Sequence, residues 1–355
     1  PGESKLMYIH DIEIKGKPLP KQPNLFRNIE SGPAEVKRVE DNLLVLDYCN
    51  IQAMGKSAQD INYLHATDSI FKWHGFPKSD IDHNPWNFTT QYKTELLDMN
   101  DDFGDATGFE ATFPFVVDQD YQLKPMKIGI EYGRLYQVKI NGKNISPDTD
   151  LFYFDHSVDV YPVDAKDLKY GQNLITLSVQ PMHIHAELER IFVLGDFDLQ
   201  PAKRGFIIKE SGDLSLGNWV SQGLPFYPEA VSYIKKFNWQ SADAGKVKLN
   251  DWQGAVAQVK VNGKNAGIIG WQPYELDISQ LVTTGENTIE VLIFGTPRNQ
   301  LGPHYYDPPV GIATPWSWNQ APRHQPAGEK YSFVPYGLMD DFEVMVGEGS
   351  ESQQL

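Results

Sequence analysis

The stretch Tyr136-Gln-Val-Lys-Ile-Asn-Gly-Lys-Asn144 is repeated later in the chain as Ala257-Gln-Val-Lys-Val-Asn-Gly-Lys-Asn265. In both copies apolar and polar residues alternate before the Asn-Gly pair, which is the pattern of a half-buried β-strand. Asn-Gly tolerates the positive φ angles of a type I′ turn, so each strand is predicted to enter a tight hairpin. The repeated stretch therefore predicts a β-rich chain built twice to one plan.

The similarity between the two copies continues downstream. A short Asp-containing strand, a Gly-x-Asn turn with an alternating strand, and an Asp-Phe segment follow in the same order: Val158–Val160, Tyr170–Val179 and Leu194–Leu199 in the first copy, Leu276–Ile278, Thr284–Ile293 and Leu338–Val344 in the second. A repeat this long predicts duplicated domains, because solenoid repeats are usually about 20 to 50 residues long.

Length and turn signals predict the domain organisation. A chain of 355 residues suits two domains of about 150 residues each. The expected ranges are an N-terminal strand and linker over 1–34, module one over 35–200, module two over 201–347, and a disordered tail over 348–355. Many short strands with turns between them predict an all-β fold of two tandem antiparallel β-sandwiches of jelly-roll type.

Individual elements follow from periodicity. Alternation bounded by turn residues predicts strands over 42–48, 109–117 and 126–132 in module one, and over 230–237 and 246–249 in module two. Helical periodicity is strongest over Ser57–Lys72, which is the predicted helix. Leu44, Leu46 and Tyr48 lie near the single cysteine, Cys49, in the sequence, so we expect a buried thiol.

Composition excludes some classes of partner. The formal net charge is −16, and nucleic-acid binding depends on clustered Lys and Arg, so phosphate backbones are excluded and neutral ligands are favoured. No apolar run approaches the roughly 18 residues of a membrane span. The chain begins at Pro1 without a basic and apolar leader, so a secretion signal is expected to have been removed or to lie upstream.

The order of these motifs resembles known domains of glycoside hydrolases. Module two resembles the galactose-binding-like sandwich of family 2 glycoside hydrolases, their sugar-binding domain, through Trp252–Gly267, Tyr274–Leu281 and Gly285–Val291. Module one is similar to the C-terminal part of bacterial enzymes related to family 106 α-L-rhamnosidases, through Ile130–Tyr132, Val138–Gly142 and Ala186–Phe197. Asn-Gly and Gly-x-Asn are turn chemistry, so the resemblance indicates a fold more than a ligand.

The resemblance implies a role beside a catalytic domain. The barrel with two catalytic carboxylates that such enzymes carry is not visible, because strands do not alternate with helices of 10 to 15 residues. No catalytic residue is carried over. The implied setting is an upstream catalytic domain in the same chain, a carbohydrate ligand, and a secreted or periplasmic bacterial protein.

Sugar recognition depends on aromatic faces stacked on pyranose C–H groups and on polar side chains that fix hydroxyls. The segment Gly295–Trp318 is rich in both and has the composition of a long loop. The predicted sugar-binding residues are Arg298, Asn299, His304, Tyr305, Tyr306, Asp307, Trp316 and Trp318, with Trp73 and Trp86 in module one. The alternative is that these aromatics pack against the other module or a missing barrel.

Two segments carry metal-ligand types. Asp98, Asn100 and Asp102 lie within an acidic stretch that favours a structural calcium, with a solvated acidic turn as the alternative. His183, His185 and Glu187 would share one face of a strand, but one strand seldom supplies three ligands, so a partly buried His pair hydrogen-bonded to Glu187 is favoured. No cofactor is required by this interpretation.

Three functional hypotheses follow. The first is an accessory, carbohydrate-binding pair of modules belonging to a glycoside hydrolase. The second is a hydrolase active in its own right, in which carboxylates of module one and the aromatic loop of module two meet between the sandwiches. The third is a structural pair that braces a catalytic barrel and leaves a large apolar patch exposed on the isolated chain.

Overall fold

A computed structural model of the protein describes residues 25–75, 104–183, 185–240, 244–306 and 314–347. These residues form an all-β fold, and nearly every strand pair is antiparallel, which confirms the predicted fold class. The helices are short: α1 (Tyr63–Trp73), α2 (Arg298–Leu301), α3 (Pro315–Trp318), and 3-10 turns at Gly133–Leu135, Ala165–Asp167, Trp219–Gln222 and Gly328–Lys330. Among the described residues, no helix has the length and apolar character needed to cross a bilayer.

The first sandwich contains a five-stranded and an eight-stranded sheet. The five-stranded sheet has the order β10 (Asp148–Tyr153), β11 (Asp155–Val163), β7 (Met126–Glu131), β13 (Ile191–Gly195), β3 (Asn42–Leu46). The eight-stranded sheet has the order β14 (Asp198–Pro201), β15 (Phe206–Lys209), β6 (Phe109–Val117), β12 (Gly171–Val179), β8 (Gln137–Ile140), β9 (Lys143–Ile145), with β4 (Tyr48–Ala53) paired to β6 and β5 (Lys56–Asn62) paired to β4.

The second sandwich has its own hydrophobic core. Its five-stranded sheet has the order β2 (Glu35–Arg38), β16 (Ala230–Trp239), β22 (Gly285–Phe294), β19 (Val256–Val261), β20 (Lys264–Ile269). Its four-stranded sheet has the order β1 (Phe26–Asn28), β24 (Glu343–Gly347), β17 (Gly245–Lys248), β21 (Glu275–Asp277). A two-stranded ribbon joins β18 (Trp252–Gln253) to β23 (Gly337–Leu338).

Both sandwiches repeat one strand order. The neighbours β6, β12, β8 and β9 of the first correspond to β16, β22, β19 and β20 of the second, and β11, β7, β13 and β3 correspond to β21, β17, β24 and β1. The Asn-Gly turns are alike as well, with φ values of 50° and 85° at Asn141 and Gly142 and of 51° and 76° at Asn262 and Gly263. Both turns therefore have the positive φ angles predicted for a tight hairpin.

The sheets cross the predicted domain boundaries. Strand β1, from the range predicted as a linker, pairs with β24, and β2, from the start of the module-one range, pairs with β16. Strand β15 lies beyond residue 200 but pairs with β14 and β6 of the first sandwich. The first two described strands thus belong to the second sandwich. There β1 and β2 pair with β24 and β16, whose edges would otherwise carry unpaired backbone groups.

Three local predictions are corrected by the structure. The predicted helix Ser57–Lys72 begins only at Tyr63, because residues before it pair with β4 and the Asn62 side chain caps the helix by accepting from Leu64 N at 3.2 Å. The predicted strand 42–48 divides at Asp47, where the chain passes from one sheet to the other. The Asp-Phe segments are not equivalent, since Phe197 follows β13 whereas Phe342 precedes β24.

Strands with clean alternation agree with their predictions. Strand β6 spans the predicted residues 109–117, and its side chains are buried at every second position. Cys49 is a free and buried thiol, as expected.

The long segment between β22 and β23 of the second sandwich contacts the first sandwich. Its Leu301, Tyr305 and Phe333 pack against the core of the first sandwich.

Candidate functional site

The long segment predicted to bind sugar is largely a packing element. Asn299 is buried, and its amide exchanges two 2.8 Å hydrogen bonds with the backbone of Val334. A ring nitrogen of His304 lies 2.8 Å from the carbonyl of Asn299, and its ring contacts those of Phe226 and Tyr331. Burial lowers the pKa of His304 to about 3, so the ring is neutral. Neither side chain has a surface available for a sugar.

Asp47 fastens this segment to the first sandwich. Its carboxylate accepts from the Tyr305 hydroxyl at 2.5 Å and from the Tyr331 hydroxyl at 3.2 Å. Burial raises the pKa of Asp47 to about 6, although the two tyrosine hydrogen bonds oppose the shift. Nearby, the Tyr48 hydroxyl donates to the Pro322 carbonyl at 2.7 Å. Tyr305 therefore serves the contact between the sandwiches, which is the alternative raised from the sequence.

A second set of contacts surrounds Leu301. Its carbonyl accepts from the Arg190 guanidinium and, at 2.8 Å, from Nε1 of Trp318. Arg190 also donates to the Tyr63 hydroxyl and lies 5.0 Å from the centre of that ring. Glu189, whose pKa burial raises to about 8, has its carboxylate 3.9 Å from Arg190. Trp318, through the Leu301 carbonyl, and Glu189, through Arg190, thus belong to the network that joins the sandwiches.

The remaining predicted loop residues are more accessible. Tyr306 and Trp316 form an edge-to-face pair with ring centres 5.3 Å apart, and Trp316 is 46% exposed. The Arg298 guanidinium lies 3.5 Å from the backbone and hydroxyl oxygens of Ser332. Tyr306 and Trp316 are consequently the loop aromatics that keep the character predicted for sugar stacking.

Most of the other residues predicted to bind sugar or calcium fall outside the described ranges. Trp73 is the last residue of α1 and packs, half-buried, against the core of the first sandwich. The residues outside the described ranges are Trp86, Asp307, and the predicted calcium ligands Asp98, Asn100 and Asp102. The expected structural calcium therefore stays a prediction.

The histidine pair does not lie on a strand. The rings of His183 and His185 are 5.3 Å apart, and the backbone N–H of His185 donates to Nδ1 of His183 at 3.1 Å. Among the residues that the structure describes, no group of three His, Cys, Asp or Glu side chains is arranged to hold a metal ion. The predicted hydrogen bond between this pair and Glu187 stays a prediction.

A site that the sequence analysis missed lies at the β10–β11 hairpin. A cavity of about 310 Å³, here named the hairpin groove, lies between this hairpin and the residues around Glu40 and Glu229. Its wall carries Leu151, Phe152 and Phe154, which are 44%, 52% and 50% exposed. Three large exposed apolar side chains within four residues are unusual on a domain surface, so this surface indicates an interaction site.

The backbone of the β10–β11 hairpin is irregular where it exposes Phe152 and Phe154. The register of β10 on β11 shifts between Asp148 and Phe152 and again between Phe152 and Tyr153, as in a β-bulge. Phe154 has a φ of 42°, a left-handed conformation that is uncommon for a bulky residue. Both Tyr153 and Phe154 rest on the ring of Phe192, with ring centres 5.4 Å apart in each pair. A rigid aromatic base therefore holds a strained hairpin in place.

The polar side of the hairpin groove is acidic. Glu40, Asp41 and Glu229 line it together with a single cation, Lys127, whose Nζ lies 3.0 Å from Asp41. Burial, and then the neighbouring charge of Glu40, raise the pKa of Glu229. The groove thus offers carboxylate acceptors, one ammonium donor and two half-exposed phenyl rings to a ligand.

The amino-acid sequence contains one feature that points to the hairpin groove. Leu151-Phe-Tyr-Phe154 is a run of four apolar residues without the alternation seen in the other strands. Such a run on a surface strand is a fault unless it serves a function. The acidic partners could not be predicted, because Glu40 and Glu229 lie more than 70 residues from the hairpin in the sequence.

Comparisons with known proteins give partial likenesses. The chain matches no known family profile and no curated protein. A rhamnosidase from Novosphingobium sp. PP1Y is 18% identical, with a TM-score of 0.28, over 71% of this chain and 26% of that one. A β-D-mannosidase from Dictyoglomus thermophilum is 10% identical, with a TM-score of 0.28, over 72% and 31%.

A third solved structure is of the same kind. The family 2 β-galacturonidase from Eisenbergiella tayi is 8% identical, with a TM-score of 0.23, over 72% of this chain and 38% of that one. All three are glycoside hydrolases, and this chain spans between a quarter and two fifths of their lengths. TM-scores this low assign neither a family nor a ligand.

Proposed function

We propose that this chain is an accessory, carbohydrate-binding part of a glycoside hydrolase, and that the hairpin groove binds a neutral sugar. The observation that carries the proposal is the pairing of two half-exposed phenyl rings, Phe152 and Phe154, with three carboxylates around one cavity of about 310 Å³. Sugar sites combine these two chemistries, because a pyranose has apolar C–H faces and a polar rim of hydroxyls.

The apolar part of the argument concerns exposed area. Phe152 and Phe154 are about half exposed, so covering the remaining surface of each would stabilise a complex by about 1 kcal/mol. The strained turn at Phe154 and its support by Phe192 fix the Phe154 ring before a ligand arrives, and the Phe152 ring packs on His156 with ring centres 4.0 Å apart. Such preorganisation reduces the entropy lost on binding.

The polar part of the argument concerns charge. Glu40, Asp41 and Glu229 accept hydrogen bonds from sugar hydroxyls, and Lys127 donates. Three carboxylates beside one ammonium repel uronic acids, in agreement with the net charge of −16. The cavity volume lies at the lower end of the range of about 300 to 1,000 Å³ for small-molecule sites, which suits a short oligosaccharide.

The sequence resemblance to sugar-binding domains supports the ligand class. In this proposal an upstream catalytic domain in the same polypeptide cleaves the glycan that the accessory part holds, and the protein acts outside the cytoplasm of a bacterium. The contact network around Asp47 keeps the two sandwiches in one arrangement, which a shared groove requires.

Calorimetric titration with a panel of neutral oligosaccharides tests this function. We expect at least one neutral ligand to bind, and Phe152→Ala and Phe154→Ala each to weaken its affinity about tenfold, equivalent to about 1.4 kcal/mol. Trp271→Ala is the matched control, because Trp271 is the most exposed of the described tryptophans and lies on the second sandwich. Binding that survives both hairpin variants, or binding of none of the panel, would overturn the proposal. Loss on Trp316→Ala alone would move the site to the loop.

A further inference from the structure

The outer face of the eight-stranded sheet carries two rows of polar side chains. Each row crosses five neighbouring strands in register, one residue per strand: Ser57, Gln52, Glu110, Ser178 and Gln137 in the first row, and Asn50, Thr112, Thr176, Lys139 and Asn144 in the second. The residues between them on each strand, such as Ile51 and Ala111, face the core. Side chains at alternate positions share a face, so the rows lie side by side.

The chemistry of the rows is uniform. Eight of the ten side chains are uncharged amides or hydroxyls, and the two charges are those of Glu110 and Lys139. Within the second row the hydroxyls of Thr112 and Thr176 lie 3.2 Å apart. Amides and hydroxyls both donate and accept hydrogen bonds, which is the property that a sugar hydroxyl also has.

The second sandwich provides an internal comparison. Its strands β16, β22, β19 and β20 occupy the equivalent positions, but the row equivalent to the first one contains Leu292 and Ile268 beside Ser232 and Gln258, and other outward side chains form ion pairs. Glu290 lies 3.2 Å from Lys260 and accepts from Ser232 at 2.7 Å, and Lys236 lies 3.3 Å from Glu286. Opposite charges of this kind are typical of a solvated sheet surface. The same architecture thus supports a partly apolar and ion-paired face in one sandwich and an amide and hydroxyl face in the other.

A large cavity lies over the first row. It has a volume of about 920 Å³, and Gln52, Glu110, Ser178 and Gln137 all line it, with the β4–β5 turn around Gly55 at one end. Neighbouring strands are about 4.8 Å apart, so five residues in a row span roughly 19 Å. The ligand that matches this surface is long, polar and uncharged.

We infer that the first row and its cavity bind a stretch of several residues of an uncharged polysaccharide, laid across the strands. This inference rests on the proposed function for the class of ligand, but it uses none of the residues of the hairpin groove. The rows lack aromatic side chains, so in this inference they bind the glycan by hydrogen bonds to its hydroxyls and not by ring stacking. The hydrogen-bonding rows therefore recognise extended chains, while the hairpin groove recognises a short segment.

The repeated sequence supplies a matched pair of variants. Gln137 and Gln258 occupy the same position in the two copies of the repeat, each at the second residue of the quoted stretch, but only Gln137 lines the cavity. Binding is measured by calorimetry with neutral oligosaccharides of two to eight sugar residues and with the neutral polysaccharide from which each oligosaccharide series is prepared. We expect affinity to rise with chain length, and Gln137→Ala with Gln52→Ala to lower affinity for the long chains at least tenfold. Gln258→Ala should have no effect.

The outcomes separate this inference from the proposed function. Long-chain binding that depends on Gln137 and Gln52 but not on Phe152 supports the inference even if the hairpin groove binds nothing. Affinity that does not rise beyond the shortest ligand, or long-chain binding that the double variant leaves unchanged, overturns it, whatever Phe152→Ala does to short ligands. An equal loss in Gln258→Ala and Gln137→Ala would also overturn it. Thermal unfolding of each variant confirms that it is folded.

Discussion

Asn262 donates a hydrogen bond from its side-chain amide to the side-chain oxygen of Asn287 over 2.8 Å. Asn141 donates in the same way to Asn173, also over 2.8 Å. In each sandwich the first Asn belongs to the Asn-Gly turn and the second to the Gly-x-Asn turn. The two turn motifs that the sequence repeats are therefore joined directly, and this bond ties the hairpin to the strand beside it.

The buried member of each pair also satisfies its own turn. Asn287 donates to the carbonyls of Thr283 and Gly285 and accepts from the backbone of Thr283. Replacing it with Ala removes these hydrogen bonds together with the one from Asn262, and each contributes about 0.5 to 1.5 kcal/mol. We expect Asn287→Ala to lower the free energy of unfolding by at least 2 kcal/mol, measured by urea unfolding. Asn265→Ala, an exposed change in the same hairpin, should stay within about 0.5 kcal/mol; equal effects would refute the role given to the turn.

Asp47 predicts a dependence of stability on pH. Burial raises its pKa from an ordinary 3.8 to about 6, so the folded protein holds this proton more tightly than the unfolded chain. The resulting stabilisation is present below about pH 4 and is lost as the pH rises through 6. Relative to Asp47→Asn, the wild-type free energy of unfolding should fall by about 2 kcal/mol between pH 4 and pH 7. Denaturant unfolding of both proteins across this range measures the difference, and a flat difference would show that Asp47 titrates normally.

The charges in the hairpin groove make a prediction that needs no ligand. Burial is the larger cause of the raised pKa of Glu229, and the charge of Glu40 is the second. Glu40→Gln should therefore lower the pKa of Glu229 without returning it to an ordinary value, as followed by carbon-detected NMR titration. Asp41→Asn is the control, because Asp41 is paired with Lys127 at 3.0 Å. A Glu229 pKa that does not respond to Glu40→Gln would place the two carboxylates farther apart than the groove requires.

Periodicity predicted the strands but not how they assemble. The alternation of 109–117 gave β6 with its bounds, because one buried face imposes a period of two. The same reasoning misplaced the start of α1, since the residues from Ser57 to Asn62 are held as strand β5 by pairing with β4, which is a tertiary effect. It also could not show that β1 and β2 pair with strands more than 190 residues away in sequence.

The candidate site illustrates the same limit. The composition of the long loop predicted aromatic and polar side chains near one another, and they are, but Asn299, His304 and Tyr305 are used for internal contacts. Composition cannot distinguish an aromatic that faces a ligand from one that faces a second domain. In the hairpin groove the informative feature was the missing alternation at Leu151–Phe154, which a search for strands passes over.

The carbonyl of Leu301 supports a prediction about cooperation between two side chains. It accepts from both Arg190 and Trp318, so either donor alone still satisfies it. Arg190→Met and Trp318→Phe should each be tolerated better than their combination, because only the double variant leaves this carbonyl without a side-chain donor at the junction of the sandwiches.

A double-mutant cycle measures this cooperation. We expect the loss in free energy of unfolding of the double variant to exceed the sum of the single losses by about 1 kcal/mol, within the range of about 0.5 to 3 kcal/mol seen for residues that share a partner. Trp316→Phe combined with Arg190→Met is the control, since Trp316 contacts Tyr306 and is 46% exposed, and its losses should add. Additive losses for Arg190 and Trp318, within about 0.3 to 0.5 kcal/mol, would mean that the carbonyl gains its second partner from solvent and that the two side chains stabilise the junction independently.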